Sequence, residues 1–513
     1  MTAHDTDTSA RIADLVAATA RRHPEAPALI VTAERLPISY HDLVGLVDDL
    51  AGQLTQAGLL TGDRVALRAP SSAEFVVGLL AASRAGLVVV PLDPALPIAE
   101  QQARVAAAGA RVVLVDGDTP GETGEPTLPF WPISVSTGPI GVHLDAPLAP
   151  SPATAGPDGL RSDDALIMFT GGTTGSPKMV PWTHDNIASS VRSVIATYRL
   201  GPDDATVAVM PLFHGHGLIA ALLGSLASGG TVLIPAGGRF SAHTFFDDVH
   251  SAGATWFTAV PTIHQILLHR ASADHNGHHP VRLRFIRSCS ASLSPDTASA
   301  LETKFAAPVC SAYGMTEATH QVASTSGTQT VTSGLVGQST GVEIRIVGDD
   351  GQPCPPETAG EVQLRGRTVV RGYLANPSAA EQTFINGWLR TGDLGSLSAD
   401  GELTLRGRIK ELIIRGGENI SPEHVEGMLA SHPNVLEAAV FGVPDPLYGE
   451  TVAAVVVPGS SSPPTVAELT EFCRERLARF EVPATIKVTS ELPHTAKGSI
   501  DRRAVADRFG KGA

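Results

Sequence analysis

LIMFTGGTTGSPKMVPWTH, residues 166–184, changes character within a few positions. Leu166 to Phe169 are apolar and read as a buried strand; a run of Thr, Gly and Ser follows, and it ends on one lysine, Lys178. Such a loop presents successive backbone N–H groups, hydroxyls and an ammonium, a set of donors that suits polyphosphate oxygens. The G-x-x-x-x-G-K-[ST] spacing of a Walker loop is absent. A plain surface turn is the alternative, and the buried strand before the loop and the Pro-Lys pair closing it weigh against that.

On either side of this loop the chain repeats one pattern. DRVALRAP, SSAEFVVGLLAASRAG and LVVVPLDP read as strand, helix, strand, and so do ATVAVMPLF, HGHGLIAALLGSLASGG and TVLIPA. Continuous apolar, β-branched strands around an apolar helix fit βαβ units in parallel sheets covered on both faces. Two such units in separate regions predict two α/β layers. Between 116 and 164 the composition turns to Pro, Gly, Ser and Thr, which predicts loop with at most a short strand near Ile133. VEIRIVG, GEVQLRG and GELTLRG predict a small antiparallel β subdomain over about 342–405. Beyond Gly407, HVEGMLASH, EAAVFGV, TVAAVVVP and VAELTEFCRERLARF alternate helix and strand. The fold expected is therefore α/β: a large N-terminal domain, 1–407, followed by a small α+β domain, 408–513.

Composition narrows the function. A chain of 513 residues exceeds one ordinary domain. Its 37 basic and 52 acidic residues give a net charge of −15, which argues against nonspecific nucleic-acid or anionic-lipid binding. Cys289, Cys310, Cys354 and Cys473 form no CxxC pair, so neither a zinc site nor a disulfide framework is expected, and a cytoplasmic location follows. The first residues lack a secretory pattern, and Ile12, Leu15 and Val16 predict an amphipathic helix. The apolar stretches 75–92 and 217–236 are interrupted by Arg84 and Gly86, and by Ser225, Ser228 and Gly229-Gly230; neither is expected to span a membrane.

The loop resembles the phosphate loop T-S-G-T-T-G-x-P-K-G of the adenylate-forming superfamily of acyl-CoA synthetases, peptide-synthetase adenylation domains and luciferases. Thr170, Gly172, Thr173, Thr174, Gly175, Pro177 and Lys178 match; Gly171 and Met179 depart from the pattern. The remaining motifs follow in the family's order. The resemblance implies that SAYGMTEATH places Tyr313 on adenine, Thr316 on the α-phosphate and Glu317 on Mg²⁺. Ser290 and Ala291 of CSASL would line the adenine and acyl pockets. Asp393 and Arg408 would hold the ribose, Lys410 would be an interdomain hinge, and Lys497 the catalytic lysine of the C-terminal domain. Arg415, Gly416 and Gly417 would be brought to the coenzyme A tunnel. Taken singly each residue has an ordinary structural reading; in this order they point to function.

These parts suit one chemistry. A carboxylate attacks the ATP α-phosphate, pyrophosphate leaves, and the acyl-adenylate passes its acyl group to a thiol. Charge accumulates on phosphoryl oxygens, so positioned cations and N–H groups carry the catalysis. Expected substrates are a small-molecule acid, ATP with Mg²⁺, and coenzyme A. PLFHGHGL, TWFTAVPTIHQILL, LRFIRSCSASL and AYGMTEATHQ look most similar to oxalate–CoA ligases of plants and fungi, which implies that His214, Ser290 and His320 contact the acid. His184, His216 and His264 are read as structural. The competing readings are a medium- or long-chain fatty acyl-CoA synthetase, an adenylating enzyme loading a carrier protein in trans, and a non-catalytic nucleotide-binding protein.

Overall fold

A computed structural model describes residues 11–31, 33–117, 128–170, 177–273, 282–459, 463–494 and 500–510. Within these, the two layers expected from the βαβ repeats are two sheets. In the first, of seven strands, Arg64–Arg68 lies parallel between Val88–Leu92 and Val112–Asp116. Asp164–Phe169 adds in parallel beside Val88–Leu92, and its antiparallel partner Met179–Thr183 forms the edge. Every residue of Val88–Leu92 is buried, as a strand covered on both faces requires. The helix Ala73–Arg84 starts where the Ser72 side chain accepts the Phe75 N–H and ends before Gly86, at φ +77°. Its Gly78 lets the helix press onto the sheet, since a Cβ there would sit 3.1 Å from Ile133 and 3.2 Å from Leu67.

The second sheet has fourteen strands and changes character along its width. Pro27–Val31, Thr231–Leu233, Ala205–Val207, Trp256–Ala259, Phe285–Ser288 and Val309–Met315 run parallel. From Val309–Met315 onward the pairing is antiparallel, through His320–Ser324, Leu335–Ser339, Glu402–Arg408, Trp388–Leu397, Gly360–Arg365 and Glu343–Val347. The short strands read near 342–405 thus hydrogen-bond directly onto the α/β layer and continue it. The C-terminal sheet has five strands built on the long hairpin Val435–Asp445 and Gly449–Pro458. The helices Pro422–Ala430 and Val466–Arg474 cover one face through Val425, Leu429, Leu469 and Cys473, and Val505 of Arg502–Phe509 packs on the other.

One stretch is more ordered than its composition suggests. Phe130–Thr137 and Ile140–Leu144 form a hairpin on the first sheet, anchored by the fully buried Trp131 and Ile133; alternate apolar positions decided this against the surrounding Pro and Gly. Ile12–Ala20 is a helix with Ile12 and Val16 buried. No described helix is long and apolar enough to cross a membrane.

The first sheet is fastened to the segment after Gly366 by a buried ion pair. Arg371 donates from both terminal nitrogens to the carboxylate of Asp164, at 2.6 Å each, and the Asp164 side chain is fully enclosed. Removing one member of such a pair strands the other. Asp164→Ala is expected to lower unfolding free energy by about 3 kcal/mol in urea titration, whereas Arg367→Ala, which breaks the exposed pair with Asp185, should change it by less than about 1 kcal/mol.

Candidate active site

The hairpin of Asp164–Phe169 and Met179–Thr183 closes its loop at both ends. Thr170 N–H donates to the Lys178 carbonyl at 3.1 Å, and Lys178 N–H reaches Thr170 Oγ1 at 3.4 Å. Gly172, Thr173, Thr174 and Gly175 lie outside the described residues. The Lys178 ammonium sits 4.4 Å from the centre of the Tyr373 ring, and the Tyr373 hydroxyl donates to Glu317 Oε1 at 2.9 Å. Lys178 and Glu317 are thereby brought to two sides of one aromatic ring. Burial and the Glu317 carboxylate hold the Tyr373 hydroxyl protonated, far above its ordinary range. The turn carrying Thr316 and Glu317 is pinned from beneath: Trp182 Nε1 donates to the Thr316 carbonyl at 2.8 Å, and Val370 N–H to that of Glu317 at 2.9 Å. Tyr373 was not singled out by the sequence. Its only mark there is an aromatic residue in RGYLANP.

Tyr313, on Val309–Met315, donates its hydroxyl to Asp393 Oδ2. Arg408 Nε lies 3.2 Å from Asp393 Oδ1, which follows from register, since Asp393 and Arg408 are direct partners across antiparallel strands. Burial lifts the Asp393 carboxyl while Arg408 and the Tyr313 hydroxyl draw it down, with a net upward shift. The pair leaves carboxylate oxygens and a guanidinium beside an aromatic ring, groups that match vicinal hydroxyls and a base.

The third wall is histidine-rich. His216 Nδ1 faces Ser290 Oγ at 3.1 Å, its Nε2 faces Thr258 Oγ1 at 2.6 Å, and its ring stacks on that of His320 with centres 5.3 Å apart. His216, read as structural from the sequence, is therefore the histidine in hydrogen-bond contact with Ser290. His214 is half-buried and meets the Phe213 ring edge-on at 4.8 Å. Between them Gly215 has no room for a side chain, whose Cβ would lie 3.0 Å from Trp182 and 3.4 Å from His320. Ser290 and His320 both hold left-handed backbone, at φ +74° and +82°, an uncommon state for non-glycine residues that marks constrained sites. Ala291 beside Ser290 is exposed. Behind this wall lies Arg287, fully buried on Phe285–Ser288. Burial, together with Arg287, holds His216 and His320 well below the ordinary imidazole value, so both are neutral.

The C-terminal candidates are arranged around the joint. Lys410 is exposed in the short turn Ile409–Glu411. Gly416 and Gly417 form the two-residue tip of a hairpin at φ +60° and +92°, the combination that favours glycine at both places. Arg415 donates to the Phe480 carbonyl at 2.7 Å and lies over the Tyr448 ring. Lys497 lies outside the described residues; the flanking His494 and Ile500 pair as an antiparallel bridge.

Residues 16–374 match the AMP-binding enzyme family, and residues 424–499 match the AMP-binding enzyme C-terminal domain. The chain belongs to the AMP-binding enzyme family. It is 41% identical to an oxalate–CoA ligase of Arabidopsis thaliana, over 98% of this chain and 99% of that one. It is 35% identical to a sulfoacetate–CoA ligase of Cupriavidus necator, over 96% of each. Among solved structures it is similar to ATP-bound MatB from Rhodopseudomonas palustris, with a TM-score of 0.81 and 28% identity over 97% of this chain and 99% of that one. The protein is an ATP-dependent acid–CoA ligase that works through an acyl-adenylate and uses ATP, Mg²⁺ and coenzyme A. The chemistry of a single carboxylate such as Glu317 is compatible with Mg²⁺, which is commonly held by one or two carboxylates together with substrate phosphates and water.

Tyr373→Phe keeps the ring under Lys178 and removes the hydroxyl that orients Glu317. It is expected to raise the Mg²⁺ concentration needed for half-maximal pyrophosphate release by about tenfold, with an unchanged melting curve. A second expectation concerns acid. His216, His264 and His320 are neutral when folded, His264 being lowered by burial to about 4. Below about pH 6.5 each of these histidines binds more protons in the unfolded chain than in the folded one, so stability falls as the pH is lowered, by up to about 1.4 kcal/mol per unit for His264 until its folded value near 4 is approached. Urea titrations between pH 6 and 4.5 should show His264→Gln losing one such increment of slope.

Proposed function

We propose that the acid is oxalate or another short diacid. The observation that carries this is the wall of Ser290, His216 and His320 in front of a buried arginine. A second carboxylate buried without partners costs several kcal/mol, and this wall offers hydroxyl and imidazole donors with positive charge behind them. An aliphatic or aromatic acid calls instead for an apolar pocket. The relatives named for oxalate and sulfoacetate support the reading, because both acids carry a second anionic group.

In this reading Lys178 and the Thr170–Gly175 loop hold the departing pyrophosphate, with Thr316 at the α-phosphate. Glu317 would hold Mg²⁺, whose charge would offset that of the phosphates. Tyr313 packs on adenine, with Ala291 lining the same pocket, and Asp393 and Arg408 take the ribose. Lys497 adds positive charge in the first half-reaction. Rotation of the domain that begins at 408 about Lys410 then withdraws it and brings Arg415, Gly416 and Gly417 to the thiol. His214 joins Ser290 and His320 around the acid. The four cysteines are free, which suits a reducing cytoplasm.

Pyrophosphate release should be measured with coenzyme A over oxalate, malonate, succinate, benzoate and octanoate. Oxalate, or a neighbouring diacid, is expected to exceed both monoacids by at least about a hundredfold in kcat/KM, the scale set by leaving buried polar groups unpaired. Turnover of octanoate alone would sink the diacid reading. Adenylate that forms but yields no thioester with coenzyme A would instead indicate a carrier protein. Lys497→Ala should abolish adenylate formation and leave thioester formation from supplied acyl-adenylate; unchanged adenylation would remove Lys497 from the mechanism.

A further inference from the structure

Arg287 is fully buried and makes no ion pair with a carboxylate among the described residues. Its donors go to neutral groups: Nε to the Tyr198 hydroxyl at 2.9 Å, Nη1 to Thr258 Oγ1 at 3.0 Å, and Nη2 to His320 Nε2 at 3.0 Å and Gln321 Oε1 at 3.1 Å. A guanidinium has only donors and does not lose its proton in proteins. This one-way character dictates where the neighbouring hydrogens sit.

His320 Nε2 receives an N–H, so it must be the bare nitrogen, and the ring proton sits on Nδ1. Thr258 Oγ1 also receives an N–H, and among the described residues the only acceptor within reach of its own proton is the nitrogen at 2.6 Å, His216 Nε2. The proton of His216 is then on Nδ1, aimed at Ser290 Oγ at 3.1 Å. Ser290, accepting from His216, has its hydroxyl proton left to give. Two relays thus start at one guanidinium and end in donors, one at His320 Nδ1 and one at Ser290 Oγ. A carboxylate is acceptor-only, and a positive charge with no carboxylate ion-paired to it among the described residues stands behind the two donors.

We propose that Arg287, directly and through Thr258, is a positioning residue that fixes the Nδ1–H form of His320 and His216 and so makes this wall donate only, selecting the second carboxylate of a diacid. The proposal rests on the diacid reading for its substrate and on hydrogen-bond direction alone for its tautomers, and the two are tested separately.

The wiring is read by NMR of the full-length enzyme labelled with ¹³C and ¹⁵N at histidine, with His216 and His320 assigned from the signals lost in His216→Gln and His320→Gln. Both rings are expected as Nδ1–H tautomers in the wild type, and Nε2–H in either would overturn the proposal. Selection is read from Thr258→Val, which keeps side-chain shape but breaks the relay, against Thr258→Ser, which retains the hydroxyl. Thr258→Val should raise KM for the best diacid at least tenfold, with kcat within threefold and KM for ATP unchanged. Thr258→Ser should stay within about twofold of wild type, and Arg287→Lys, which cannot reach both relays, should raise the diacid KM like Thr258→Val. Equal losses in Thr258→Val and Thr258→Ser, or a matching rise in KM for ATP, would reduce Thr258 to packing and overturn it. If the wild type turns over no diacid, the substrate half falls with the function reading, while the NMR result still decides the tautomers.

Discussion

Everything in the site depends on one reversal of the chain, between Met315 and His320, where the fourteen-stranded sheet passes from parallel to antiparallel. The reversal is tight. A Cβ on Gly314 would lie 1.6 Å from the His320 carbonyl oxygen, and Thr319 and His320 both take positive φ. It is held by Ser190 donating to the Thr319 carbonyl at 2.5 Å, Thr319 donating to that of Thr368 at 2.7 Å, and Trp182 donating to that of Thr316. Those contacts come from three separate parts of the chain. Because the turn is short, the proposed polyphosphate residues Thr316 and Glu317 and the proposed acid residue His320 are held within six positions of one another. The spacing between the two reacting partners is therefore set by backbone, which suits a reaction whose barrier falls mainly through placement.

The distribution of charge follows from the same geometry. The chain carries −15 overall, yet behind the proposed acid wall the buried Arg287 has no ion-paired carboxylate among the described residues. On the nucleotide side the buried charge is a carboxylate, Asp393, balanced by Arg408 and by the Tyr313 hydroxyl. Net charge thus excludes nonspecific anionic partners without describing the site.

How much of this was legible in the sequence depends on the range of the interaction. The βαβ units were legible because β-branched runs such as Val88–Leu92 are buried on both faces, and the motifs because their residues lie close together in the chain. Tyr373, Thr258 and Arg287 were not. Each acts through a partner distant in the chain, as Tyr373 does with Glu317 and Arg287 with His320, and a single sequence does not show which segments adjoin. His216 was set aside for the same reason: its partners Ser290 and Thr258 come from strand ends brought together only by the parallel sheet. The hairpin after Phe130 was obscured differently. Its alternate buried positions are real, but Pro and Gly on both sides dominate the local composition.

The proposed joint at Lys410 lies between two residues anchored in opposite directions along the chain. Arg408 is tied backward, to Asp393 of the large sheet. Glu411 is tied forward, because Arg502 donates to it at 2.8 Å while also holding Glu423 at 3.2 Å and Glu426 at 2.6 Å. Glu423 and Glu426 lie on the helix Pro422–Ala430, so Glu411 moves with the C-terminal sheet. What is left between the two anchors is Ile409 and Lys410, both exposed. A rotation there breaks neither the Arg502 cluster nor the strand pairing behind Asp393, and it carries with it the Gly416–Gly417 turn and the bridge between His494 and Ile500. The proposed pivot at Lys410 thus falls between a residue tied to the large sheet and one tied to the C-terminal sheet.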